Sequence, residues 1–297
     1  MPVQYPSIQP YMKTLLEVDT LKNGDPVKIY VEMSGNKDGI PVIYLHGGPG
    51  DHSDPSIRRL FNPKLFNIIQ FDQRGCGQSV PLNHTEKNTT QHLIKDMEAI
   101  RKLIRVPKFL VAGGSWGTTL ALAYAEAHPV LGLILRGVFD LSMDDCVMKS
   151  MYPDLEAKLK RIQRKKTISQ ILKTHNKTRT AFIKASNDPR PMYVNATPHD
   201  DDFRTQQTLS IIGTHYEGHD FFLTKRNLYR KIDKLNVPVI IVQGRYDIVT
   251  PPIMAYTLCK KLPNCQMMLV KAGHTHFDLT KELVKASDAF ATFFSKR

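Results

Sequence analysis

Long apolar runs are missing from this sequence. No segment approaches about 18 consecutive apolar residues, which excludes a transmembrane helix. The opening "MPVQYPSIQP" has neither a basic n-region nor an apolar h-region, so no secretory signal is expected. Cysteine is scarce. Cys76, Cys146, Cys259 and Cys265 form no CxxC pair and no zinc spacing, which predicts four reduced thiols in a cytoplasmic protein. HExxH is absent, and His215 and His219 have no glutamate placed between them as a base, so no metal centre is expected. Tryptophan occurs once, as Trp116.

What remains is an ordinary globular chain of 297 residues, 41% hydrophobic and 23% charged. That length suits one large α/β domain or a core with an insertion. The net charge is +13. The excess concentrates in residues 157–187, which hold ten Lys and Arg and no acid. Such a run reads first as a solvated helix face and second as an anion-attracting rim. Without interleaved aromatics or a nucleic-acid motif, no nucleic-acid partner is expected.

The stretches "LLEVDT" (15–20) and "VKIYVEM" (27–33) flank "LKNGDP", which predicts an N-terminal hairpin. Six apolar runs follow, at 41–50, 66–79, 108–115, 132–139, 238–247 and 265–274. Helical stretches such as 90–105 separate them. Strands that are apolar throughout predict an α/β fold, a mostly parallel sheet covered by helices on both faces. The strand pattern stops near residue 139 and resumes near 236. Residues 1–139 and 236–297 therefore read as the α/β core, and 140–235 as an inserted helical cap. In such sheets chemistry gathers on loops at the carboxyl ends of the strands.

"GGSWG" (113–117) fits G-x-S-x-G between an apolar strand and an alanine-rich helical stretch. In that setting the serine is held out at a sharp turn, and Ser115 is the candidate nucleophile. A serine hydroxyl needs a base, and the base needs a carboxylate to orient it. Asp247 in "GRYDIVTP" and His274 in "AGHTHF" follow in the chain order this architecture uses. His276 competes with His274 for the base; His274, directly after Gly273, is the choice. An acyl-transfer oxyanion needs backbone donors, assigned to the amides of Trp116 and of Gly48 in "HGGPG" (46–50). In "DQRGCGQS" (72–79), Asp72 and Arg74 are expected to pair and brace the site, and Cys76 to be structural.

Taken together, "LHGGPG", "DQRGCGQS", "GGSWGTTLALAYAEAHP", "LILRGVF", "GRYDIVTP" and "AGHTHF" resemble the proline iminopeptidases. These are serine peptidases of the α/β-hydrolase fold that release an N-terminal proline. The resemblance covers most of 1–140 and 236–297. It implies the same triad and oxyanion donors, no cofactor, and a small peptide substrate. It also implies cap glutamates that hold the substrate amine. Here the cap has no tryptophan for a "WE" pair, and Gly213 falls where one glutamate is expected. Glu217 and Asp220 are the substrate-binding candidates nearby, with Asp200–Asp202 a second acidic stretch. The alternative function is a carboxylesterase or amidase with the same triad, acting on neutral or anionic acyl groups. A catalytically silent binding protein is a third, against which the complete triad set argues.

Overall fold

The computed structural model describes residues 3–141, 203–223 and 231–295. Within them the apolar runs pair into one eight-stranded sheet. Its strands are β1 (Met12–Thr20), β2 (Pro26–Gly35), β3 (Ile40–Leu45), β4 (Phe66–Phe71), β5 (Leu110–Gly114), β6 (Gly132–Arg136), β7 (Val239–Gly244) and β8 (Cys265–Val270). Their spatial order is β1-β2-β4-β3-β5-β6-β7-β8. The expected hairpin is the antiparallel β1–β2 pair, and β2 also meets β4 antiparallel. Every pairing from β4 through β3 to β8 is parallel.

Burial follows position in the sheet. The central strands β4, β5 and β6 are buried at every residue, as strands covered on both faces must be. Edge strand β1 alternates between half-buried and exposed residues. Five helices are described: α1 (Thr90–Leu103), α2 (Trp116–Ala127), α3 (Phe203–Glu217), α4 (Pro252–Lys261) and α5 (Thr280–Ser295). Alternate residues of β3 feed opposite cores. Ile43 and Leu45 pack with residues of α1, α2 and α4. Val42 and Tyr44 pack with the 3-10 turn Pro55–Leu60 and α5. This is the doubly covered α/β sheet that the composition implies. No described helix is long and apolar enough to cross a membrane.

Most of the expected cap at 140–235 lies outside the described residues, including the basic run 157–187 and Asp200–Asp202. Its described part, α3, packs on the core through Ile212 and Tyr216. The cysteine expectation needs correction. Cys259 at the end of α4 and Cys265 at the start of β8 are joined in a disulfide, with Cα atoms 5.4 Å apart. The short turn between antiparallel-running helix and strand brings them into bonding range. Cys76 is free and buried, and burial pushes its thiol well above the ordinary value. Cys146 lies outside the described residues.

Candidate active site

Ser115 sits between the end of β5 and the start of α2 with φ 54° and ψ −126°, a strained conformation for a residue with a side chain. The flanking glycines permit it. A Cβ on Gly113 would lie 2.5 Å from the Gly117 carbonyl oxygen, and one on Gly117 would strike the Leu45 carbonyl. The turn is tied to the sheet by the Ser115 amide, which donates to the Arg136 carbonyl at 2.9 Å. Ser115 and His274 line one cleft of about 530 Å³, together with His46, Gly47, Gly48 and Arg136. Among the described residues Ser115 Oγ makes no hydrogen bond, a common state for a catalytic hydroxyl without substrate.

The acid and base come together from two separate loops. Asp247, just after β7, accepts a hydrogen bond from His274 Nδ1 at 2.8 Å. The same carboxylate accepts from the Val249 and Thr250 amides at 3.0 and 2.8 Å, and from Thr250 Oγ1 at 2.8 Å. Gln243 Nε2 adds a bond at 3.1 Å. Burial acts to raise the Asp247 pKa, but the bonds from His274 and Thr250 outweigh it and hold the carboxyl below the usual range. The competing His276 is engaged elsewhere, with Nε2 2.8 Å from Ser56 Oγ and 3.4 Å from Asp54.

Gly48 has φ +104°, and a Cβ there would lie 2.5 Å from the Gly50 nitrogen, so only glycine fits this turn. The Trp116 amide opens α2 and has no acceptor within its helix. The Trp116 indole is fully buried and stacks on Phe221, with ring centroids 5.5 Å apart.

Two supporting residues lie inside "HGGPG" and "DQRGCGQS", where the sequence assigned them no role. Gln73 joins three motifs: its Oε1 accepts from Trp116 Nε1 at 3.0 Å, and its Nε2 donates to the His46 carbonyl at 3.0 Å. His46 Nε2 accepts from the Gln73 amide at 3.0 Å, which leaves Nδ1 to donate to the Gly47 carbonyl at 3.0 Å. Burial depresses the His46 pKa, so it stays neutral in that role. Asp72 and Arg74 do not pair with each other. Asp72 accepts from the Ser53 and Gln78 amides at 2.6 and 2.7 Å, while Arg74 grips Asp96 through two bonds of 2.7 Å. The loop turns the two side chains apart, and each braces a different neighbour.

Glu217 and Asp220 are exposed, and neither lines the described cleft. Asp220 directly precedes Phe221, whose ring packs on Trp116. A Cβ on Gly213 would meet only the Pro49 carbonyl oxygen, at 3.7 Å, so this position faces the oxyanion loop. His215 Nε2 and His219 Nδ1 each engage a backbone carbonyl, those of Asn88 and His215. No group of three metal-ligating side chains occurs among the described residues.

Comparison with known proteins follows this geometry. A family model for the alpha/beta hydrolase fold matches residues 40–279. A proline iminopeptidase of Neisseria meningitidis serogroup B is 37% identical over 94% of this chain and 96% of its own length. One from Arabidopsis thaliana is 34% identical over 96% of this chain and 81% of its own. Among solved structures, an alpha/beta fold family hydrolase from Bacillus anthracis superposes with a TM-score of 0.63 at 16% identity, covering 96% of this chain and 99% of that one.

Proposed function

The chain belongs to the proline iminopeptidase family of the α/β-hydrolase fold, and we propose that Ser115, His274 and Asp247 are its catalytic triad. It is a serine hydrolase that releases N-terminal proline from peptides. In our assignment Ser115 Oγ attacks the prolyl carbonyl carbon while His274 Nε2 takes the hydroxyl proton. Asp247 keeps the Nδ1–H tautomer and stabilises the imidazolium. The imidazolium then protonates the leaving amine, and the C–N bond breaks. Water, deprotonated by His274, attacks the prolyl ester and frees Ser115. The amides of Gly48 and Trp116 stabilise the oxyanion in both steps.

The observation that carries this assignment is the 2.8 Å contact between His274 and a fully buried Asp247, in the cleft that the strained Ser115 also lines. Glu217 and Asp220, the acids nearest the position where a family glutamate is expected, are proposed for the substrate amine on that sequence ground alone, since neither lines the described cleft. The substrate is a small peptide, with no nucleic-acid or membrane partner. The cytoplasmic setting is part of the same proposal. That setting requires Cys259 and Cys265 reduced, against the disulfide of the structure: thiol titration of the denatured protein, purified under air without reductant, is expected to give four free thiols, and two would overturn the cytoplasmic setting.

Labelling with a fluorophosphonate tests the nucleophile. Mass spectrometry is expected to find the adduct on the peptide holding Ser115, and none in Ser115→Ala. An adduct that persists in the variant would remove Ser115 from the role.

A further inference from the structure

Three arginines are buried among the described residues: Arg58, Arg74 and Arg136, at 7%, 1% and 8% exposure. A guanidinium keeps its charge at any pH a protein survives, and buried charges are normally paired. Arg58 meets this rule through Glu32, with bonds of 2.8 Å from Nε and from Nη2. Arg74 meets it through Asp96 and Asp19. Arg136 does not. Its Nη1 donates to the His274 carbonyl at 2.6 Å, its Nε is buried with no acceptor, and among the described residues no carboxylate pairs with it. It is the one of the three that lines the catalytic cleft.

The fold makes room for this unpaired cation. Arg136 ends β6 opposite Gly114 of β5, and a Cβ on Gly114 would collide with its guanidinium. The second glycine of "GGSWG" thus admits the arginine beside the nucleophile. Its contacts are with Gly114, the residue before Ser115, and with His274. Two carboxylates also line the cleft, but each is engaged nearer the rim. Asp51 accepts from the His52 amide at 2.9 Å, and Asp54 caps the Pro55–Leu60 turn through the Ser56 amide at 2.7 Å. The cation lies deeper, at 8% exposure.

We propose that Arg136 binds a carboxylate of the substrate, and that this carboxylate is the free C-terminus of a dipeptide with proline first. This rests on the aminopeptidase assignment above. In such a dipeptide the carboxylate belongs to the leaving amino acid, one residue beyond the scissile bond, or about 3.8 Å from Cα to Cα. A guanidinium touching the residue before the nucleophile and the residue that acts as base is within that reach. With Nη1 on the His274 carbonyl and Nε enclosed by protein, Nη2 is the donor left for a carboxylate, which would give the buried charge the partner that the protein does not supply. The net charge of +13 favours capture of an anionic group at low salt.

The test compares kcat/KM for Pro-Ala and for Pro-Ala amide, which differ only in that charge. Wild type is expected to prefer Pro-Ala by about 10- to 100-fold, the worth of a charge-assisted hydrogen bond. Arg136→Gln is expected to bring the ratio near one, and Arg136→Lys to keep part of it. The ratio is the readout because Arg136 also holds the His274 carbonyl, and its loss will slow every substrate. A wild-type ratio near one, or a preference that survives in Arg136→Gln, overturns the proposal. A second arm needs no peptide turnover: inhibition of 4-nitrophenyl acetate hydrolysis by alanine and by alaninamide. Alanine is expected to inhibit more strongly in wild type and not in Arg136→Gln. Ester turnover without any turnover of proline peptides sinks the aminopeptidase assignment. The carboxylate site then stands or falls on this arm, with equal inhibition overturning it.

Discussion

The two walls of the cleft are held in different ways. The sheet wall carries Ser115, Gly48 and His274, and backbone contacts and glycine packing define it. Its loops interlock through Gln73 and His46, and Asp247 receives four hydrogen bonds besides that of His274 from its own loop and strand. The α3 wall contributes Thr205 and Leu209, and it rests on the oxyanion loop where a Cβ on Gly50 would lie 2.7 Å from the Leu209 Cα. That wall offers side chains on one helix face. The difference assigns the chemistry to the first wall and, Arg136 apart, the choice of substrate to the second. Changes on the sheet wall should lower kcat, and changes on α3 should move KM.

The largest effect is expected from Ser115→Ala, which should lower kcat on proline 4-nitroanilide by about 10⁴-fold or more. Its melting temperature should stay close to wild type, since Oγ makes no bond among the described residues. Asp247→Asn should cost about 10⁴-fold by leaving the imidazole in the wrong tautomer. The same variant has a stability signature. A carboxyl held below its ordinary value stabilises the fold above the unfolded pKa of about 3.9, and this is lost as pH falls through the lower folded value. Denaturant unfolding of wild type should therefore weaken over that acid window more steeply than unfolding of Asp247→Asn.

Gln73→Ala should lower kcat by about 10- to 100-fold with little change in KM, somewhat less than deleting an oxyanion donor outright. Steady-state kinetics on the anilide decide this, and a pure KM effect would break the division between the walls. The smallest effect is expected from Leu209→Ala. It should raise KM by less than about 10-fold, the scale of one lost apolar contact, and leave kcat nearly unchanged. A kcat loss as large as that of Gln73→Ala would show that α3 takes part in the chemistry.

The sheet wall was readable because its chemistry is written in short local motifs. "GGSWG" needs glycine at 113 and 117 for backbone reasons, and Asp247 and His274 each follow an apolar strand directly. The same sequence gave no sign that Gln73 links Trp116 to the His46 carbonyl, because that contact spans 43 residues. Asp72 and Arg74 read as partners from proximity in the chain, whereas the loop sends Arg74 to Asp96 on α1. Cys259 and Cys265 form no motif, and their bond depends on how a helix end meets a strand start. Arg136 looked like one more strand residue. Its meaning depends on the missing partner, and only packing reveals that. The α3 wall resists reading for the same reason: selection of a substrate rests on side-chain directions that no spacing encodes.

The most direct test of the division, and of the family function, is kcat/KM of the purified full chain on proline 4-nitroanilide set against the alanine and leucine anilides and 4-nitrophenyl acetate. Turnover of the proline anilide well above the other two anilides, abolished by Ser115→Ala, is the expected result. Ester hydrolysis with no turnover of the proline anilide would contradict it.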